Sequence, residues 1–296
     1  MSKKALSITQ FQKLYRTEDD CLDAIVRMRW PKGFTCAKCG HDDGYRLRAK
    51  RAIQCAVCRH QTAITAGTIF HGTRIPLLTW FWMIFLVARD KGGASALRLS
   101  KQLGMCYSTV WHVLHKIREA MSKRDERCIR LGGAIELDEA FFGGSGRKVQ
   151  VLVMIEAGRK RLGDLVMKKI FGRIASGPSI EEVINTTIDN QSQQHFVTDC
   201  AAAHTIIRKL GHKLVTHKST PESAAKHLSS VHLVIALARR YLLGTYHGAT
   251  ERKHLQSYLD EFCYRFNRRF KEGQLCESLL RACVYAQPTT YAALTR

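Results

Sequence analysis

Ala134-Ile135-Glu136-Leu137-Asp138-Glu139-Ala140-Phe141-Phe142 reads as a β-strand with a carboxylate in its middle. A charge flanked by apolar residues is costly to bury unless something pairs with it, so Asp138 asks for a partner. Two further apolar runs, Val149 to Glu156 and Leu165 to Ile170, follow across short Gly/Arg/Lys turns and predict an antiparallel meander. Ser179-x-x-Glu182 is a capping box that opens a helix to about Asp189. The short strand His195-Phe196-Val197-Thr198 ends at Asp199, another strand runs over Lys213 to Thr216, and long helices begin near Ala224.

Three antiparallel strands followed by alternating helix and strand is the order of a ribonuclease-H-like α/β fold. In that order the strand ending at Asp199 can lie beside the one carrying Asp138. Two aspartates side by side make an oxygen-rich seat for Mg²⁺ of the kind that two-metal phosphoryl transfer requires. Read from the pattern alone, either aspartate is equally a cap or a turn residue.

Upstream lie Cys36-x-x-Cys39 and Cys55-x-x-Cys58, fifteen residues apart, the spacing of a zinc ribbon. Four thiolates close the shell of a structural Zn²⁺ and leave it no open catalytic position. His60 reads as a surface residue. The other seven cysteines form no CxxC pair and read as free thiols in a reducing cytosol. Ser95 to Leu103, Gly104, and Ser108 to Ile117 outline a helix-turn-helix, with Ser108 as the cap and His112, His115 and Lys116 on the recognition helix. The 296 residues carry a net charge of +22, and residues 1 to 130 hold 24 Lys/Arg against 10 Asp/Glu, so the N-terminal part most strongly attracts a polyanion. Met1-Ser2-Lys3-Lys4 is followed by no apolar run of a signal peptide, and Leu77 to Ala88 is too short to span a bilayer. A cytoplasmic protein with no membrane partner is expected.

The expected organisation is α+β and multidomain. It comprises a helical segment over 1–33, a zinc ribbon over 34–62, a helix-turn-helix region over 77–122 and a ribonuclease-H-like catalytic domain over 132–285. Charged residues Lys123 to Arg130, then Gly132-Gly133, mark the last boundary.

Further motifs run along nearly the whole chain. They include Arg29-Trp30-Pro31-x-Gly33-Phe34-x-Cys36, Leu137-Asp138-Glu139-x-x-x-Gly143-Gly144 and Leu242-Leu243-Gly244-Thr245-x-His247-Gly248. Another is Tyr258-Leu259-x-Glu261-Phe262-x-x-Arg265-Phe266-Asn267-Arg268-Arg269. On these residues the chain resembles the zinc-ribbon transposases of bacterial insertion sequences that have an ISXO-like catalytic domain. The resemblance implies a DDE-type recombinase, nucleoid-associated, that cuts and joins double-stranded DNA at terminal inverted repeats and in a target. It implies Asp138 and Asp199 as the first two ligands of Mg²⁺ or Mn²⁺, and a homodimer or larger assembly to pair two DNA ends.

Where relatives carry a polar third residue, this chain reads His232-Leu233-Val234-Ile235-Ala236-Leu237-Ala238-Arg239, and Leu237 falls on the expected seat. Leucine cannot bind a metal. Either His232, a turn earlier, takes part, or the site is one ligand short and the chain is a transposase reduced to DNA binding. Imidazole is a poor ligand for Mg²⁺ and a reasonable one for Mn²⁺. Arg265, Arg268 and Arg269, interleaved with Phe266 and Phe270, suit a DNA backbone contact, and Glu261 reads as a surface ion-pair residue.

Overall fold

The computed structural model describes residues 5–143, 148–158, 162–169, 179–189, 192–199, 202–217, 226–247 and 251–295. Gly144, Ile170, Ala224 and Gly248 of the sequence reading lie outside them, as does Cys200, one of the seven cysteines beyond the ribbon. The chain forms two units, Met1–Arg124 with Lys271–Arg296, and Asp125–Phe270.

In the first unit α1 (Ile8–Leu14) and α2 (Glu18–Arg29) both start on capping boxes. Thr17 Oγ1 accepts the Asp20 N–H at 3.2 Å while Asp20 Oδ2 accepts the Thr17 N–H at 2.8 Å. Strands β1 (Gly44–Leu47), β2 (Ala52–Cys55) and β3 (Gln61–Ala63) make a small antiparallel sheet. The apolar α3 (Leu77–Arg89) has only Pro76 at its N-cap, so Glu18 supplies the missing acceptors, taking the Leu77 and Leu78 N–H groups at 3.1 and 2.8 Å. Phe11 is fully buried against Trp82 and Phe85, with both ring centroids 4.5 Å away.

Next, α4 (Ala96–Leu103) ends on Gly104 at φ +62°, the left-handed turn a glycine accepts without strain. After it, α5 (Tyr107–Cys128) buries Val110, Val113, Leu114 and Ile117, one stripe of its surface. Ser108 lies inside its first turn, not ahead of it. Cys106 sits at the cap instead, its thiol 3.2 Å from Ser108 Oγ.

The second unit, from Asp125, is built on a five-stranded sheet. Strand β4 (Ala134–Phe142) pairs antiparallel with β5 (Val149–Ala157), and β5 with β6 (Leu162–Lys169). After α6 (Ile180–Thr187), β7 (His195–Asp199) returns parallel to β4; after α7 (Ile206–Lys209), β8 (Lys213–His217) pairs parallel with β7. The resulting order β6-β5-β4-β7-β8 is that of a ribonuclease-H-like sheet.

Each face of this sheet has its own core. Ile135, Leu137, Leu152 and Met154 pack with Val183, Ile184 and Ile207 from α6 and α7. Ala140, Val151, Val153 and Ile155 pack with α8 (Ser229–Tyr246) and α9 (Leu255–Asn267). Burial on both faces explains why β5 reads as a continuous apolar run. Glu136 is buried on the α8 side, where its Oε2 accepts the Val231 N–H at 2.9 Å and caps the helix.

The expected C-terminal limit at 285 falls within the first unit. Residues from Lys271 belong to the first unit, where α10 (Leu275–Tyr285) packs on α2 and α3 and the Tyr285 hydroxyl donates to the Met28 carbonyl at 2.6 Å. A last helix, α11, spans Tyr291–Thr295. Among the described residues no helix is long and apolar enough to cross a membrane.

Candidate active site and metal centre

The four cysteine Sγ atoms lie within 4.8 Å of one another, the one cluster of three or more potential ligands this tight among the described residues. The two knuckles repeat each other. The Cys36 N–H donates to the His41 carbonyl at 2.8 Å and the Cys55 N–H to the His60 carbonyl at 2.9 Å. In both, the residue after the second cysteine turns left-handed: Gly40 at φ +75° and Arg59 at φ +58°. Backbone N–H groups of Cys39 and Lys38 aimed at Cys36 hold its thiol below the ordinary range, while its cysteine neighbours push the Cys58 thiol up. Four convergent sulfurs fit Zn²⁺ in chemistry and number. His60 is exposed and outside the cluster.

In the second unit Leu137 on β4 pairs with Thr198 on β7. The next residues are Asp138 and Asp199, on neighbouring parallel strands, where side chains at paired positions share a face. That face is the one covered by α8, and α8 brings His232 Nε2 to 3.1 Å from Asp138 Oδ2. Asp138 Oδ1 accepts the Glu139 N–H at 2.8 Å. Burial holds the Asp138 carboxyl above the ordinary carboxylate range; the Glu139 N–H and His232 oppose this, and the Asp199 charge adds to the rise. Two neighbouring carboxylates with an imidazole beside them fit a divalent cation.

Leu237 is half-buried on α8, five residues beyond His232, so its side chain points about 140° away around the helix axis. The polar group facing Asp138 is therefore His232.

The reverse side of the strand edge holds a group that sequence reading missed. Glu139, one residue past Asp138, points to the opposite face and meets the fully buried His204, whose Nε2 is 3.3 Å from Glu139 Oε1. Gln150 Nε2 donates to the same carboxylate. His204 holds Glu139 below its ordinary value. The available signal was alternation: a carboxylate next to Asp138 on a strand must face the other way.

Several expected DNA contacts are engaged inside the protein. His115 is 1% exposed and its ring centroid lies 4.0 Å from that of Trp111, so it has no edge to offer a base; His112 and Lys116 remain half-exposed. Arg265 pairs with Glu261 at 3.1 Å, and Glu261 is buried, not a surface residue. Arg268 pairs with Asp125 at 2.7 Å and lies over the Tyr264 ring. Arg269 donates to the Phe266 and Leu162 carbonyls and lies over the Phe266 ring. These arginines fasten α9 within its own unit, an interior use that a basic helix face does not reveal.

No curated protein sequence matches the chain. Among solved structures it is similar to the Mos1 transposase catalytic domain with raltegravir and manganese, at 15% identity and a TM-score of 0.30, over 56% of this chain and 92% of that one. It is similar also to the catalytic domain of the Mos1 mariner transposase, at 15% identity and 0.29, over 60% and 94%. Two family models match in sequence order: the transposase zinc-ribbon domain over residues 16–61 and the ISXO2-like transposase domain over residues 130–267. The chain thus carries a transposase zinc-ribbon domain followed by an ISXO2-like transposase domain.

Proposed function

We propose that the protein binds the terminal inverted repeats of its own bacterial insertion sequence, cuts them and joins the ends to target DNA. The observation that carries the reading is the register of β4 and β7, which sets Asp138 beside Asp199 with His232 across from them. In this reading Asp138 and Asp199 hold Mg²⁺ or Mn²⁺ and His232 completes the constellation in place of Leu237. The bound cation would activate a water or 3′-hydroxyl and offset charge on the leaving oxygen.

The protein's own residues do the rest. Glu136 fixes the start of α8 and so the position of His232. The Glu139 N–H holds one oxygen of Asp138, leaving the second directed at His232. The ribbon, closed by four thiolates, and the α4–Gly104–α5 pair with His112 and Lys116 serve as the DNA-reading parts, supported by the net charge of +22. Pairing two ends calls for at least two copies, acting in the cytoplasm.

End cleavage and strand joining on repeat-end DNA, with Mg²⁺ or Mn²⁺ and with Asp138→Ala beside the wild type, test this. Wild-type activity that Asp138→Ala loses supports the reading. Equal inertness of the two, with DNA binding intact, overturns it and leaves a DNA-binding protein.

A further inference from the structure

Asp199 is the last residue of β7, paired across the sheet with His217 of β8. Behind it the short 3-10 turn Ala202–Thr205 folds His204 back under the strand end, with its side chain 1% exposed. Nδ1 of that ring is 2.5 Å from Thr198 Oγ1 and 3.4 Å from Asp199 Oδ1. Nε2, on the other side of the same ring, is 3.3 Å from Glu139 Oε1, and Glu139 directly follows Asp138. One buried imidazole thus touches both strands that carry the paired aspartates. The imidazole faces two carboxylates and a hydroxyl.

We propose that His204 is the positioning residue of the site. It sets the Asp199 carboxylate from behind through Nδ1 and ties it through Nε2 to Glu139 on the strand of Asp138. The proposal rests on the assignment of Asp138 and Asp199 as cation ligands. Groups that orient a ligating carboxylate characteristically govern metal affinity by about 10- to 100-fold. His204 therefore acts on binding of the cation, before any DNA is present. The two ring nitrogens have separate tasks, and substitutions that keep one or the other separate them. Asparagine places its amide near the position of Nδ1, and glutamine near that of Nε2.

The test is Mn²⁺ affinity of the full-length, zinc-loaded protein, titrated by electron paramagnetic resonance. Wild type, Asp138→Ala, His204→Leu, His204→Asn and His204→Gln are compared, with the thermal midpoint of each measured without Mn²⁺. The expected result is affinity lost in Asp138→Ala and about 10- to 100-fold weaker in His204→Leu. His204→Asn recovers most of it, and His204→Gln, of similar thermal midpoint, does not. If His204→Leu does not fold, the asparagine–glutamine comparison decides alone. Wild-type affinity in both amide variants, or equal weakening of both in step with their thermal midpoints, overturns the positioning role while leaving the ligand assignment intact. A wild type with no Asp138-dependent Mn²⁺ binding overturns both.

Discussion

His232 Nε2 and Asp138 Oδ2 stand 3.1 Å apart, one at the start of a helix and the other at the middle of the strand beneath it. The contact puts an imidazole where a third polar group of the site is needed, and its consequences for metal choice are direct. Replacing His232 by alanine should weaken divalent-ion binding and end cleavage by about 10- to 100-fold. His232→Glu should shift preference from Mn²⁺ towards Mg²⁺, since a carboxylate suits the harder ion. Leu237→Asn should restore nothing, because position 237 points away from Asp138. Cleavage assays in each metal distinguish these outcomes.

Asp138 is ionised at a cost, held up by burial and by Asp199. In Mg²⁺- and Mn²⁺-free buffer Asp138→Asn should unfold at a temperature no lower than the wild type, and above it if relief of that burial outweighs the lost His232 contact. Cleavage should vanish in the same variant. Calorimetry without chelator, which would strip the ribbon, measures the first part.

The ribbon should hold zinc more firmly once its second knuckle matches the first. Arg59 adopts the left-handed conformation that Gly40 takes freely, so Arg59→Gly should stabilise the metal-bound ribbon by about 0.5–1 kcal/mol. Slower zinc release to a colorimetric chelator would show it. Complete removal of zinc should unfold the knuckles and abolish end binding.

Asp20 lies below its ordinary value of 3.8 because the N–H groups of Arg16 and Thr17 and the Thr17 hydroxyl bind its carboxylate. A depressed folded-state value means the stabilisation is present in full above 3.8 and is lost as pH falls below it towards the depressed value. The gap in urea midpoint between wild type and Asp20→Asn should therefore narrow on acidification. A gap that is constant from neutral pH to strong acid would contradict this.

Glu136→Ala removes the buried cap of α8 and should cost about 1–2 kcal/mol. Amide exchange should speed up first at the N–H of Val231 and its neighbours, and cleavage should fall with it as His232 loses its fixed position.

Strand β4 was legible to the residue because its apolar run ends abruptly on both sides, and Asp199 because an apolar strand stops on it. Ser179 announced the helix Ile180–Thr187 through local chemistry that needs no tertiary context. What escaped were contacts between residues far apart in sequence. Glu18 looks like a first-turn acid of α2, yet its carboxylate serves a helix 59 residues on. Arg265, Arg268 and Arg269 look like a DNA-facing surface, and only their partners Glu261, Asp125 and Leu162 reveal an inward use. His204 had no pattern around it at all; the turn after β7 is what carries it to Asp199 and Glu139.

The return of Leu275–Tyr285 to the N-terminal unit gives synthesis an order. The sheet bearing Asp138 and Asp199 has all its strands once the ribosome has passed residue 217, while the first unit must wait for Leu275–Tyr285. A product that stops short of α10 keeps every strand of that sheet but lacks the helix that packs on α2 and α3, so the first unit closes only after the second has all its strands.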